Sequence, residues 1–165
     1  MYTTRVSGHV RASRAEVYRA LVDGRAIAEW RVPDGMSGRV HEFEAREGGE
    51  FRVSLTYDVP TGTGKSAPHT DTYRARFVTL VPDERVVEAI EFETGDPALG
   101  GTMTMTTTLS DAGEGTDVLV VQEGVPDAVP AEDNETGMRM ALAKLARFVE
   151  AGRAGGGAGG LDAAG

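Results

Sequence analysis

From Phe51 to Tyr57 apolar and polar residues alternate without a break. Phe51, Val53, Leu55 and Tyr57 fall on one face, and Arg52, Ser54 and Thr56 on the other. A period of two with aromatic and β-branched residues on one side marks a strand buried on one face. The same rule runs through most of the chain. Thr3 to Val10 sets Thr4, Val6, Gly8 and Val10 together, and Val40 to Ala45 predicts a further strand. Tyr73, Ala75 and Phe77 alternate with Arg74, Arg76 and Val78; Val86, Glu88, Ile90 and Phe92 share a face. Met103, Met105, Thr107 and Leu109 alternate with threonines, and Thr116 to Gln122 makes the last strand. Gly48-Gly49, Pro82-Asp83-Glu84, Gly95-Asp96-Pro97 and Asp111 to Gly115 supply turns, and Pro60 to Thr70 reads as a mobile loop.

The period changes to that of a helix in two places. Ser13-Arg14-Ala15-Glu16 is a capping-box pattern, followed by Val17, Tyr18, Leu21 and Val22 at helical spacing. Gly24 breaks that helix, and a short second one runs through Ile27 to Trp30 until Pro33-Asp34-Gly35 stops it. Near the other end, Pro130 suits a helix start, and Met138, Leu142, Leu145 and Val149 recur on one stripe. Asp133 and Glu135 near its start, and Lys144 and Arg147 further on, complement the helix dipole. Gly137 within this helix suggests a close approach to the sheet, and Gly152 should end it. Residues 1–152 then form one domain, and the Gly/Ala-rich residues 153–165 a flexible tail. The class is α+β: two short helices after the first strand, and a curved antiparallel sheet of about six to seven strands. Its apolar face is covered by one long C-terminal helix. A sheet curled around a helix leaves a cavity wherever side chains do not fill the groove.

Composition narrows the partners. The chain has 165 residues and a formal charge of −9. That field repels nucleic acid and anionic membrane surfaces alike. No apolar run approaches the roughly 20 residues of a membrane span. Met1 to Arg5 lacks the basic and apolar regions of a signal peptide, and cysteine is absent, so the chain reads as cytoplasmic. His9, His41 and His69 are scattered and give no metal-ligand spacing. No nucleophile elbow, P-loop or dinucleotide fingerprint occurs, and no cofactor is expected.

Candidate chemistry therefore lies on the predicted concave face. Tyr57, Tyr73, Phe77, Phe92, Met103 and Met105 could line an apolar pocket with two phenolic hydroxyls, or simply fill the core. Trp30, the single tryptophan, is either a cap on the cavity mouth or a packing anchor for its helix. Gln122 alternates with Val118 and Val120 and could offer a hydrogen bond inward. Glu88 is the polar intruder on an apolar face. Facing inward in apolar surroundings it would act as a proton shuttle or bind a cation; a β-bulge could turn it out, or an inward arginine could pair with it. Asp133-Asn134-Glu135 reads most simply as a helix-start device.

These residues resemble a known family. Val10-Arg11-Ala12-Ser13, Val17 to Leu21, Trp30, Gly48-Gly49-Glu50-Phe51, Val81 to Val87, Gly115-Thr116-Asp117-Val118 and Glu132 to Gly137 follow the order and spacing of the SRPBCC (START-like) superfamily. The match is nearest to bacterial homologues of the activator of the heat-shock protein 90 ATPase and covers about residues 4 to 150. The resemblance implies a helix-grip, Bet v 1-like fold. It implies function only broadly, since its members include lipid carriers, polyketide cyclases, hormone receptors and co-chaperones. Many relatives carry Gly-Trp where this chain has Gly137-Met138; if that position lines the ligand space, Met138 makes it more adaptable. With Leu142 it completes the candidate lining. The expected function is non-enzymatic binding of a small hydrophobic or amphipathic ligand. The alternatives are a cyclase- or hydratase-type enzyme using Glu88, or a protein-binding module, with a protein partner or homodimer.

Overall fold

A computed structural model describes residues 1–58 and 70–163, with side chains as far as Gly152. The expected loop from Pro60 to Thr70 lies outside the described residues except for Thr70, which is in a strand, as do the side chains of the expected tail. The strands are β1 (Tyr2–Val10), β2 (Met36–His41), β3 (Glu50–Tyr57), β4 (Thr70–Val81), β5 (Arg85–Phe92), β6 (Met103–Ala112) and β7 (Gly115–Val125). They form one antiparallel sheet in the order β1-β7-β6-β5-β4-β3-β2, so only the link from β1 to β2 crosses the sheet. Two helices fill that crossing, α1 (Arg14–Leu21) and α2 (Gly24–Trp30). The long helix α3 (Ala131–Ala163) packs on β1 and α2 and lies in the curl of the sheet. This is the helix-grip architecture.

Local signals explain most boundaries. Ser13 and Glu16 form the full capping box at the start of α1, which satisfies two of the amides a helix start leaves open. Gly48 and Gly113 take positive φ in their turns, where a side chain would be strained. A bulge between Phe77 and Thr79 changes the parity of β4, so that Leu80 beyond it also packs on the core.

Four expectations need correction. Gly24 does not simply break α1; it opens α2, whose N-cap Asp23 accepts from the Arg25 amide at 2.9 Å. β2 lies earlier than Val40–Ala45 and ends at His41, because Glu42 takes a positive φ of 48° and turns the chain out of the sheet. Phe43 is thereby freed to pack against Phe51 and Phe77, with ring centroids 5.1 and 5.8 Å away. Gly152 does not end α3: it is not among the described glycines with positive φ, and without that left-handed turn the helix continues. Gly137, finally, faces open space. The close approach of helix to sheet is made at Gly8 on β1, where an added Cβ would stand 3.1 Å from Leu142 Cδ2.

Those two glycines should respond oppositely to substitution. Gly8→Val is expected to cost about 1–3 kcal/mol through overpacking against Leu142. Gly137→Ala is expected to gain about 0.5–1 kcal/mol through helix propensity. Urea denaturation of both variants measures this; a larger loss at Gly137 would mean that the helix meets the sheet there.

Candidate functional site

The inner face of the sheet carries a transverse row that the register dictates. Phe77 stands opposite Glu88, Glu88 opposite Met105, Met105 opposite Gln122, and Gln122 opposite Thr4. Three of these five side chains are polar, yet Glu88, Gln122 and Thr4 are all buried. Each therefore needs a partner within the protein.

For Glu88 the partner is Arg31. α2 stops at Trp30, whose indole N–H donates to the Ala20 carbonyl at 3.0 Å and fixes the helix end. Lys144 of α3 donates to the Val32 carbonyl and pairs with Asp34 at 3.3 Å, which pins the chain just beyond. Held between these anchors, Arg31 sends its guanidinium inward. Its Nη1 donates to Glu88 Oε1 at 2.8 Å, with only 10% and 4% of the two side chains exposed. The guanidinium carbon lies 5.9, 5.7 and 5.5 Å from the ring centroids of Trp30, Phe51 and Tyr73, within cation–π range. Burial works against the charge on Arg31, but Glu88, through charge and hydrogen bond, outweighs it and holds the guanidinium above its ordinary pKa. The inward Glu88 is thus the arginine-paired one.

Beside the pair, the Tyr73 hydroxyl is buried with no hydrogen-bond partner among the described residues. Burial pushes its pKa up; Arg31 opposes the rise and Glu88 adds to it. The phenol is therefore a neutral O–H donor in the physiological range. Beyond Met105, Asn134 near the start of α3 donates to Thr4 Oγ1 and Gln122 Oε1, both at 3.0 Å, and meets Met138 Sδ at 3.5 Å. Gln122 Nε2 in turn reaches Met103 Sδ at 3.6 Å. This amide pair fastens α3 to β7 and β1.

Exposure divides the groove into two ends. Phe51, Phe77, Val86, Val10 and Val118 are fully buried at one end. At the other, Leu55, Phe92, Met105 and Met138 are only partly buried although they pack against the same core. The first end of the grip is thus closed and the second, the open half, more accessible, with the Arg31–Glu88–Tyr73 group between. Of the expected lining, Phe92, Met105 and Met138 stand in the open half, Tyr73, Gln122 and Met103 are buried beside it, and Tyr57, partly buried, is not packed on the core. Trp30 is an anchored core residue. Phe77 closes the far end in the aromatic cluster, with Phe51 5.3 Å away, and Leu142 packs over Gly8. None of the expected site residues lines the outer groove of about 430 Å³ between α1, α2 and Phe148. Among the described residues no three His, Asp or Glu side chains gather as a metal site.

Comparison with known proteins places this architecture. Residues 11–150 match the family described as "Activator of Hsp90 ATPase homolog 1-like protein". The chain belongs to this family. A crystal structure of a Chromobacterium violaceum protein is 34% identical, with a TM-score of 0.80 over 90% of this chain and 97% of the other. A Rhodobacter sphaeroides protein is 21% identical, with a TM-score of 0.75 over 91% and 93%. A Mycobacterium smegmatis protein is 14% identical, with a TM-score of 0.70 over 91% and 92%. The latter two show the fold alone. No curated protein matches the chain.

Sequence reading missed Arg31 and Asn134. Glu88 on an apolar face announced that a cation was needed, but nothing in the sequence distinguishes Arg31 from other arginines until α2 ends beside it. The buried groups set clear stability expectations. Tyr73→Phe should stabilise the ligand-free protein by about 1 kcal/mol, since it removes an unpaired buried hydroxyl. Arg31→Met should cost about 3–5 kcal/mol by stranding Glu88, and adding Glu88→Leu should recover most of that loss. Denaturation of the three variants measures both effects; a double variant no more stable than Arg31→Met would remove the pairing argument.

Proposed function

We propose that the protein binds a small hydrophobic or amphipathic molecule between the sheet and α3, through the open end of the groove. The carrying observation is the half-exposed inner face: Leu55, Phe92, Met105 and Met138 pack against the core but remain partly accessible. Leaving such an apolar surface wet is unfavourable by about 25 cal/mol per Å², and a ligand would cover it. Family membership supports a binding module in general terms. The charge of −9 disfavours nucleic acid and anionic membranes as partners, and no helix among the described residues is long and apolar enough to cross a membrane. The lack of cysteine fits work in the cytoplasm.

Binding without turnover is favoured over proton transfer by Glu88, because the Arg31 hydrogen bond gives that carboxylate a structural role, the neutralisation of the buried guanidinium. The test is fluorescence titration with phenylnaphthylamine, a neutral apolar probe. We expect saturable one-to-one binding, weakened about tenfold, or ~1.4 kcal/mol, by Met105→Trp, which fills the open half. Binding that is unsaturable, or that Met105→Trp leaves untouched, would place the probe elsewhere and overturn the reading.

A further inference from the structure

We propose that the groove selects a neutral ligand bearing a carbonyl oxygen, in preference to a hydrocarbon or a carboxylate of the same shape, with Tyr73 and Arg31 as the donors to that oxygen. The inference rests on the proposed binding role and concerns the chemistry of the ligand.

Three features of one cluster lead to it. Among the described residues the buried Tyr73 hydroxyl has no hydrogen-bond partner, a state that proteins rarely leave uncompensated. Arg31 carries five N–H donors, of which one is used among the described residues, toward Glu88; the guanidinium also lies over the faces of Trp30, Phe51 and Tyr73. Tyr73 and Arg31 are neighbours, the guanidinium carbon lying 5.5 Å from the phenol ring centroid. Unused donors of two kinds therefore meet beside an apolar groove. A carbonyl oxygen has two lone pairs, enough for both, and brings no proton that needs an acceptor of its own.

Glu88 decides the charge of the ligand. One guanidinium and one carboxylate already balance, 10% and 4% exposed. A ligand carboxylate would add a second negative charge to a buried site with one positive charge, and an uncompensated buried charge is expensive. The nearby amides do not compete for the ligand, since Asn134, Gln122 and Thr4 bond to one another. Access to the phenol lies past Phe92, which stands directly opposite Tyr73 in the β4–β5 register and is only half-buried. Displacing that ring would bring a ligand to the hydroxyl.

Three probes of matched shape test this by displacement of phenylnaphthylamine from the full-length protein: acetylnaphthalene, ethylnaphthalene and naphthoate. The ketone is expected to bind about tenfold tighter than the hydrocarbon, roughly what one buried hydrogen bond provides, and naphthoate weakest of the three at neutral pH. Tyr73→Phe should reduce the preference for the ketone over ethylnaphthalene severalfold. Glu88→Gln should narrow the deficit of naphthoate. Equal affinities for the three probes, or a ketone preference that Tyr73→Phe leaves undiminished, would overturn this inference and leave the groove reading intact. Failure of every probe, phenylnaphthylamine included, would overturn both.

Discussion

Without a bulge, a strand cannot turn one residue out of a buried face without turning out its neighbours two positions away. That constraint fixes Glu88. Val86, Ile90 and Phe92 need the interior of the grip, so Glu88 goes inside with them, and a carboxylate there must be met by a cation. Arg31 meets it, and much of the chain around α2 follows from this. α2 has to end at Trp30, the indole has to be held by Ala20, and the next residues have to be tied to α3 through Lys144. The pair adds little net stability, because desolvation offsets most of its attraction. What it fixes is position: the crossing segment between β1 and β2 is seated at one place on the sheet, and a fixed charge pair stands at the boundary between the sealed and open halves.

The polar groups in the grip are satisfied to different degrees, and the difference locates the working part. Asn134, Gln122 and Thr4 hold one another and behave as a fastening between α3 and the sheet. Arg31 and Glu88 balance in charge but leave guanidinium donors in hand. The Tyr73 hydroxyl has no hydrogen-bond partner among the described residues. Moving across the row from β1 to β4, the interior passes from structural hydrogen bonding to unused donor capacity. The apolar residues become accessible toward the same open end.

The alternating strands were legible because a period of two is a geometric property of the backbone, visible wherever one face is buried. β3, β5 and β6 show it plainly. The exceptions have specific causes. Phe43 lies three residues after Val40, on the opposite parity; the left-handed Glu42 ends β2 before it, and Phe43 joins the rings of Phe51 and Phe77. Gly24 and Gly137 look like punctuation and close packing in the sequence. In the fold Gly24 is the first residue of a helix and Gly137 faces solvent, because the contact that matters depends on where α3 lies over β1, and that is set by Gly8 and Leu142. Of the candidate residues, alternation along the strands accounts for Tyr73, Phe92, Met105 and Gln122 standing at the interior of the grip. Arg31 and Asn134 were out of reach because each enters the groove from another element, and a partner across space leaves no periodic trace.

The open half has a further asymmetry that bears on specificity. Met105 and Met138 border it and Met103 lies beneath, and unbranched thioether side chains adapt their shape at small cost. Met138, flexible and unbranched, leaves the α3 side of the wall deformable. The polar side is the opposite: Arg31 is held by four aromatic and acidic neighbours, and Tyr73 is locked in a strand between β3 and β5. A groove with soft walls and fixed donors discriminates poorly by outline and well by the position of one polar atom. Under the proposed binding role, a family of apolar bodies sharing one oxygen acceptor is a more natural cargo than a single compound recognised by shape.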